Sequence, residues 1–276
     1  MRTLSLLQWN MKCQAAQAKG APTTLARRES LLKSIVEEHT PSLVLLQEAQ
    51  AVASPLPSMY AYRRHKGLLT GFLKAEWAED SDPKEAPKAL GLALRHLAVA
   101  DSVWVWNVHF STGMYDHSRE ETDASLRKAH LQMFENARQA APLNTEIVAG
   151  DFNCSPFEML VAGPDIFSGN RCLEWVRRRN RGRTTDRRLF NPSWSILGST
   201  SGAMGTYYHT GPSVGPWLVF DQILMSPEHA IDGDSQVKIL LSAGGQPLAH
   251  PVTGRPNDSV GSDHFPMLTK LQVGTR

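Results

Sequence analysis

The stretch Ile147-Val148-Ala149-Gly150-Asp151-Phe152-Asn153 passes from a β-prone apolar run to a carboxylate and an amide. A short apolar run of this kind reads as a buried strand, and a strand that ends in Gly-Asp delivers its carboxylate to a sheet rim. The pattern recurs along the chain. Residues 4–9 run into Asn10, residues 43–47 into Glu48, and Trp106-Asn107-Val108 into His109. Further on, Ser262-Asp263-His264 precedes another apolar run at 265–271. If that last strand is antiparallel to the others, its start shares their rim. Polar groups from separate strands then converge on one edge of a rigid scaffold, where sites tend to lie.

Outward from these strands, apolar runs at 92–99, 103–110, 146–149, 218–224 and 237–241 read as further strands. Leu25, Leu31, Leu32, Ile35 and Val36 recur at helical spacing, as do Leu126, Met133, Phe134 and Ala137. Ser155-Pro156-Phe157-Glu158 predicts a third helix, with a capping serine, a proline at the first position and a glutamate at the third. Strands and helices mix without strict alternation, which favours a layered α/β or α+β sandwich over a barrel, in one domain spanning 1–276. The 276 residues are 41% hydrophobic and 20% charged, which excludes a disordered or fibrous chain. A net charge of +2 does not mark a dedicated polyanion binder. No apolar run reaches the roughly 18 residues of a membrane span. Residues 4–9 are too short and polar for a secretory signal, and Cys13, Cys154 and Cys172 lack metal-type spacing, so a cytoplasmic protein is expected.

The rim residues agree chemically. Glu48, Asp151 and Asp263 are hard oxygen ligands, and Asn10 and Asn153 add neutral oxygens and amide donors. Such a set suits Mg²⁺ or Mn²⁺, which takes few protein carboxylates and keeps waters. His109 and His264 can donate to phosphate oxygens or move protons. Asp221, inside the apolar run 218–224, needs a partner, and a histidine is a good one. Asn10 serves equally well as a turn cap, and Cys154, with no neighbouring base, reads as a small buried thiol.

Gln47-Glu48, Asn107-Val108-His109, Gly150-Asp151-Phe152-Asn153, Asp221-Gln222-Ile223-Leu224 and Ser262-Asp263-His264-Phe265-Pro266 stand in an order that resembles the endonuclease/exonuclease/phosphatase superfamily. The resemblance implies a four-layer α/β/β/α sandwich, an α+β fold with two mostly antiparallel sheets face to face and helices outside. It also implies Mg²⁺-dependent phosphoester hydrolysis. Glu48 becomes the main metal ligand, with Asn10 and Asp263 beside it. Asp151 orients or deprotonates the attacking water, and Asn153 holds that water or a phosphate oxygen. His109 and His264, the latter steadied by Asp221, stabilise the transition state.

Substrate contacts are expected from Arg127 on the second helix and from Tyr208 and His209 ahead of the Asp221 run, by the same resemblance. Residues 171–188 hold eight arginines against Glu174 and Asp186. Such a run is either a solvated face or a grip on a phosphate backbone, with Arg178 and Arg181 as candidate contacts. The arginines favour a nucleic-acid substrate and a nuclease. A phosphodiesterase or phosphatase for a small or lipid phosphoester is the alternative, and a non-catalytic binding module on the same scaffold is the third reading. The chain departs from the motifs of abasic-site endonucleases at His109-Phe110-Ser111, and from those of inositol phosphatases at Val219-Phe220-Asp221-Gln222. The sequence names no protein partner.

Overall fold

The computed structural model describes residues 1–274 except 15–21, 54–55, 100, 112–119, 142–144, 165, 184–186, 199–201, 212–214 and 233–236. Its strands are β1 (Arg2–Asn10), β2 (Leu43–Gln47), β3 (Tyr60–His65), β4 (Leu68–Leu73), β5 (Trp77–Glu79), β6 (Lys84–Ala86), β7 (Ala89–His96), β8 (Ser102–His109) and β9 (Glu146–Asp151). They continue with β10 (Tyr207–Tyr208), β11 (Trp217–Leu218), β12 (Asp221–Met225), β13 (Val237–Ile239), β14 (Ser242–Ala243), β15 (Gln246–Pro247) and β16 (Met267–Val273). The helices are α1 (Pro22–His39), α2 (Glu120–Gln139), α3 (Met159–Ala162) and α4 (Leu173–Asn180).

One six-stranded sheet runs β13-β16-β1-β2-β4-β3, and the other runs β12-β9-β8-β7-β5 with β6 on β7. Most pairings are antiparallel, but β1–β2 and β8–β9 are parallel. The strands read as continuous apolar runs because both faces of each sheet are covered. Leu4 and Leu6 of β1 meet Val103, Val105, Ile147 and Ile223 between the sheets. Leu7 and Trp9, one step out of phase, pack under Leu31, Leu32 and Ile35 of α1. On the far side Trp104, Trp106 and Val148 pack under Phe134 of α2. The expected four-layer α/β/β/α sandwich follows, and β16 lies antiparallel to β1 as required for a shared rim.

The structure corrects several boundaries. The run at 92–99 is β7, shifted to start at Ala89, and the run at 237–241 ends as a strand at Ile239. The run at 218–224 is two strands. Thr206 Oγ1 accepts from the backbone N–H of Phe220 and of Asp221, breaking the ladder there and putting Asp221 at the head of β12. The helix expected from Ser155 begins only at Met159. Glu158 does accept from the Ser155 backbone N–H, but the bond closes a turn. β3, β5, β6 and α4 escaped the apolar pattern, because Tyr60–His65 has one buried residue and α4 buries only Val176 and Asn180, while β4 is buried throughout but interrupted by Thr70 and Gly71. Gly150 is held where β9 meets β8. At its φ of 148° a Cβ would lie 1.9 Å from the Val108 carbonyl oxygen, so only glycine fits.

Candidate active site

Side chains alternate along a strand, so the inward positions of the sandwich can be followed to its end. On β1 the sequence Leu4, Leu6 continues in phase to Gln8 and Asn10; on β2 Leu43, Leu45 continue to Gln47; on β8 Val103, Val105 continue to Asn107 and His109. On β9 Ile147 and Ala149 lead to Asp151, and on β12 Asp221 precedes Ile223 and Met225. The apolar interlayer core is therefore capped at one end by polar groups, with Gln8, Gln47, Asn107 and Asp221 all fully buried.

Buried polar groups need partners, and these supply one another. Gln8 Nε2 donates to Gln47 Oε1 at 2.7 Å and to Asp221 Oδ1 at 2.8 Å. Gln47 Nε2 donates to Asn107 Oδ1 at 2.7 Å, and Asn107 Nδ2 donates to the carbonyls of Leu46 and Leu69. This amide chain stitches the two sheets and ends on Asp221. The other Asp221 oxygen, Oδ2, accepts from His264 Nδ1 at 2.7 Å. His264 Nε2 then lies 3.9 Å from Asp151 Oδ2. His109 Nε2 is 3.7 Å from the same oxygen and 3.6 Å from Glu48 Oε1. Asn10 Nδ2 donates to Asp151 Oδ2 at 2.9 Å, and the Asn153 backbone N–H donates to Oδ1 at 2.8 Å. Asn153 takes the left-handed region at φ 49°, and its Nδ2 donates to the Phe110 carbonyl.

The electrostatics follow from burial and crowding. Burial pushes the Asp151 carboxyl up, with Asp221 adding to the rise against His264, His109 and the Asn10 hydrogen bond. Burial alone would depress His264, yet the Asp221 and Asp151 carboxylates override it and raise its pKa to about 10. Asp263 would rise on burial, but His264 and Lys12 hold it below the usual carboxylate range. Lys12, which reaches Asp263 at 3.0 Å and Asp258 at 2.9 Å, is itself held above its ordinary value by those two partners, against its burial. Tyr207 stacks on Phe220 and packs its ring 4.8 Å from that of His264.

Asn10, Glu48, His109, Asp151, Asn153, Asp221, Asp263 and His264 thus all lie on one rim. Among the described residues no group of three or more His, Cys, Asp or Glu is gathered as a metal site. A Mg²⁺-type ion needs only one or two protein carboxylates, and the oxygens of Glu48 and Asp263 with the amide of Asn10 fit it chemically. Glu48 stands at the end of β2 with φ 50°, and its Oε2 accepts from Gln14 Nε2. Gln8 and Lys12 were not singled out in the sequence. Gln8 was visible as a polar residue in phase with Leu4 and Leu6, whereas nothing in the sequence pointed from Lys12 to residues 258 and 263.

The expected substrate contacts separate into two groups. Arg127 on α2 lies against the Cys154 thiol, which burial pushes up to about 12 and which the guanidinium pulls down. Tyr208 lies under the Arg255 guanidinium at 5.5 Å and edge-on to Trp217, in a cleft of about 290 Å³ that Asp263 also lines. His209 donates its backbone N–H to Pro216 within the β10–β11 hairpin, and its ring lies close to Gly211. Arg178 is exposed on α4, and Arg181 lines a different cleft with Asp101, Ser102 and Thr145. Those residues lie at the starts of β8 and β9, while His109 and Asp151 are at their ends. At ~3.3 Å per residue the two poles are ~23 Å apart. The structure does not bring Arg178 and Arg181 to the rim.

A family model described as the Endonuclease/Exonuclease/phosphatase family matches residues 7–264. No curated protein matches the chain. Among solved structures, an endonuclease/exonuclease/phosphatase from Bacteroides vulgatus superposes with a TM-score of 0.61 at 14% identity, covering 99% of this chain and 100% of that one. D. rerio TDP2 humanized by 14 mutations gives 0.58 at 18% identity, covering 98% and 99%. A mannosyl-6-phosphatase from Bacteroides thetaiotaomicron gives 0.58 at 13% identity, covering 98% and 100%. At these identities the likeness is one of fold.

Proposed function

The chain belongs to the endonuclease/exonuclease/phosphatase family, and on that premise we propose that it is a Mg²⁺- or Mn²⁺-dependent phosphodiester hydrolase, a nuclease working through in-line attack of water within one catalytic domain over 1–276. The observation that carries this reading is the Asp151 carboxylate, held within 4 Å of two imidazole nitrogens, one of which is backed by Asp221.

Glu48, Asn10 and Asp263 hold the ion in this reading. When bound, it neutralises charge on the phosphoryl and leaving oxygens. The remaining work is done by the chain itself. Asp151, raised by burial, is the group that orients the attacking water and takes its proton at Oδ2. Asn153 holds that water or a phosphate oxygen. His264, charged between Asp221 and Asp151, presents Nε2–H to the phosphate as negative charge spreads over its oxygens, and His109 does the same from the other side. Asp221 keeps the His264 ring in place. Tyr208 offers a face for a base and Arg255 a cation for a phosphate beside Asp263, with Arg127 and His209 as further contacts.

A second reading is favoured by one observation. Arg177, Arg181 and Arg187 of the arginine-rich segment line the cleft at the opposite pole, so they do not hold a polymer at the rim, which suits a small or lipid phosphoester. A cleavage assay decides between the two. Labelled single- and double-stranded DNA and RNA are incubated with Mg²⁺ or Mn²⁺ beside bis-p-nitrophenyl phosphate, with chelator and with Glu48→Gln and His264→Ala as controls. Chelator-sensitive cutting of a polymer by wild type alone supports the nuclease. Hydrolysis of the chromogen alone moves the assignment to the small phosphoester, and no hydrolysis of either leaves only a binding module.

A further inference from the structure

A cleft of about 710 Å³ lies at the pole remote from the catalytic rim. We propose that it is a second ligand site, for a small phosphorylated molecule that also carries a hydroxyl, such as a sugar phosphate. Its volume lies within the range of small-molecule pockets, roughly 300–1,000 Å³.

The cations come from the arginine-rich segment. Arg177 stands in the last turn of α4, Arg181 caps the end of that helix, and Arg187 approaches from the chain that follows. Arg177 pairs with Asp232 and Arg187 with Glu228, and both acids are about half exposed, at 50% and 48%, so solvent screens the pairs from the acid side. Arg181 is exposed and makes no ion pair among the described residues. A guanidinium fork matches the oxygens of a phosphate better than it matches solvent.

The second feature is His229, which lines the same cleft and is only 4% exposed. Its Nδ1 is 3.1 Å from the Gln272 carbonyl oxygen, which can only accept, so Nδ1 carries the proton. Nε2 is then a lone-pair acceptor, and it has no hydrogen-bond partner among the described residues. A buried acceptor left unpaired is costly, and a ligand hydroxyl satisfies it. Cations for a phosphate and an acceptor for an O–H stand together in one cleft, whereas a polymer backbone asks for an extended track of charge.

The test uses ribose 5-phosphate in chelator, measured by calorimetry on the full chain. Wild type binds, Arg181→Glu weakens binding about tenfold or more, and His109→Ala leaves it unchanged. The imidazole Nε2 resonance of His229 moves on titration in wild type, which a nonspecific charge effect at Arg181 would not produce. Equal melting temperatures for wild type and Arg181→Glu show that the variant is folded. No binding by wild type overturns the proposal. So does binding that His109→Ala abolishes and Arg181→Glu retains, which would put the ligand on the catalytic rim. Binding of a ten-nucleotide single strand through Arg181, with none of ribose 5-phosphate, also overturns it in favour of a polymer grip.

Discussion

Asp221 heads β12 and His264 stands just before β16, 43 residues apart in the chain, yet the Nδ1 of one lies 2.7 Å from the Oδ2 of the other. The pair is 7% exposed or less on both sides, so the carboxylate holds the ring against a nearly dry background. His264→Ala is expected to lower kcat about 10²- to 10⁴-fold. Asp221→Asn is expected to act in the same direction with a smaller effect, since it keeps a hydrogen-bond acceptor but loses the charge. Steady-state kinetics on the chromogenic diester check both, and a His264→Ala enzyme with full turnover would remove His264 from the mechanism.

Gln8 makes a prediction of a different kind, because it touches no substrate. Its Nε2 spans Gln47 Oε1 and Asp221 Oδ1 in a fully buried position. Gln8→Leu keeps most of the volume and leaves both acceptors without that donor. A loss of about 1–3 kcal/mol of stability follows, read as a lower urea midpoint. Because Asp221 also loses an anchor, kcat is expected to fall with KM little changed. A stability loss with unaltered kcat would mean that the amide chain serves the fold alone.

How far the sequence reaches is clear from these same residues. Glu48, His109 and Asp151 were legible because each follows an apolar run, and the rim was legible because runs covered on both faces must end somewhere. The amide chain was only half legible. Gln8, Gln47 and Asn107 are visibly polar and in phase with leucines and valines, but which carbonyl or carboxylate each one meets depends on how the two sheets are stacked. The break after Leu218 depends on Thr206, a residue distant in sequence that takes two backbone donors from the strand. The arginine-rich segment was legible as charge but not as place. Its helix carries too little apolar periodicity to show which pole it packs against.

Metal dependence is expected to centre on Glu48. Glu48→Gln keeps size and one oxygen but removes the charge, so the Mg²⁺ concentration needed for half-maximal activity rises and the chelator-sensitive rate falls towards background. Magnesium titration of the rate reads this, and direct Mn²⁺ binding followed by electron paramagnetic resonance gives a readout independent of turnover. Unchanged Mn²⁺ affinity in Glu48→Gln would exclude Glu48 as a ligand.

Tyr208 and Arg255 share a cation–π contact beside Asp263. If a base stacks there, Tyr208→Ala costs about 1–3 kcal/mol of substrate binding, an increase in KM of roughly 5- to 150-fold for an oligonucleotide. The chromogenic diester, with no base to stack, should be hydrolysed with its KM little altered. Equal effects on both substrates would mean that Tyr208 supports the rim rather than reading the substrate.

The acid limb of stability is expected to involve His229. Burial pulls its pKa below the ordinary 6.5; the Gln272 carbonyl, Glu228 and Asp101 oppose the shift, and Arg187 reinforces it. The unfolded chain therefore binds a proton at a higher pH than the folded chain does. Between those two pKa values the unfolded state holds more protons, so stability rises with pH. This contribution is fully present above 6.5 and is lost as pH falls through the folded value. Urea midpoints measured from pH 7.5 to 5 should drop more steeply in wild type than in His229→Gln, which has no group to titrate. His96, also depressed by its burial, titrates alike in both proteins and cancels in the difference. Parallel curves for the two proteins would show that His229 does not titrate in this range.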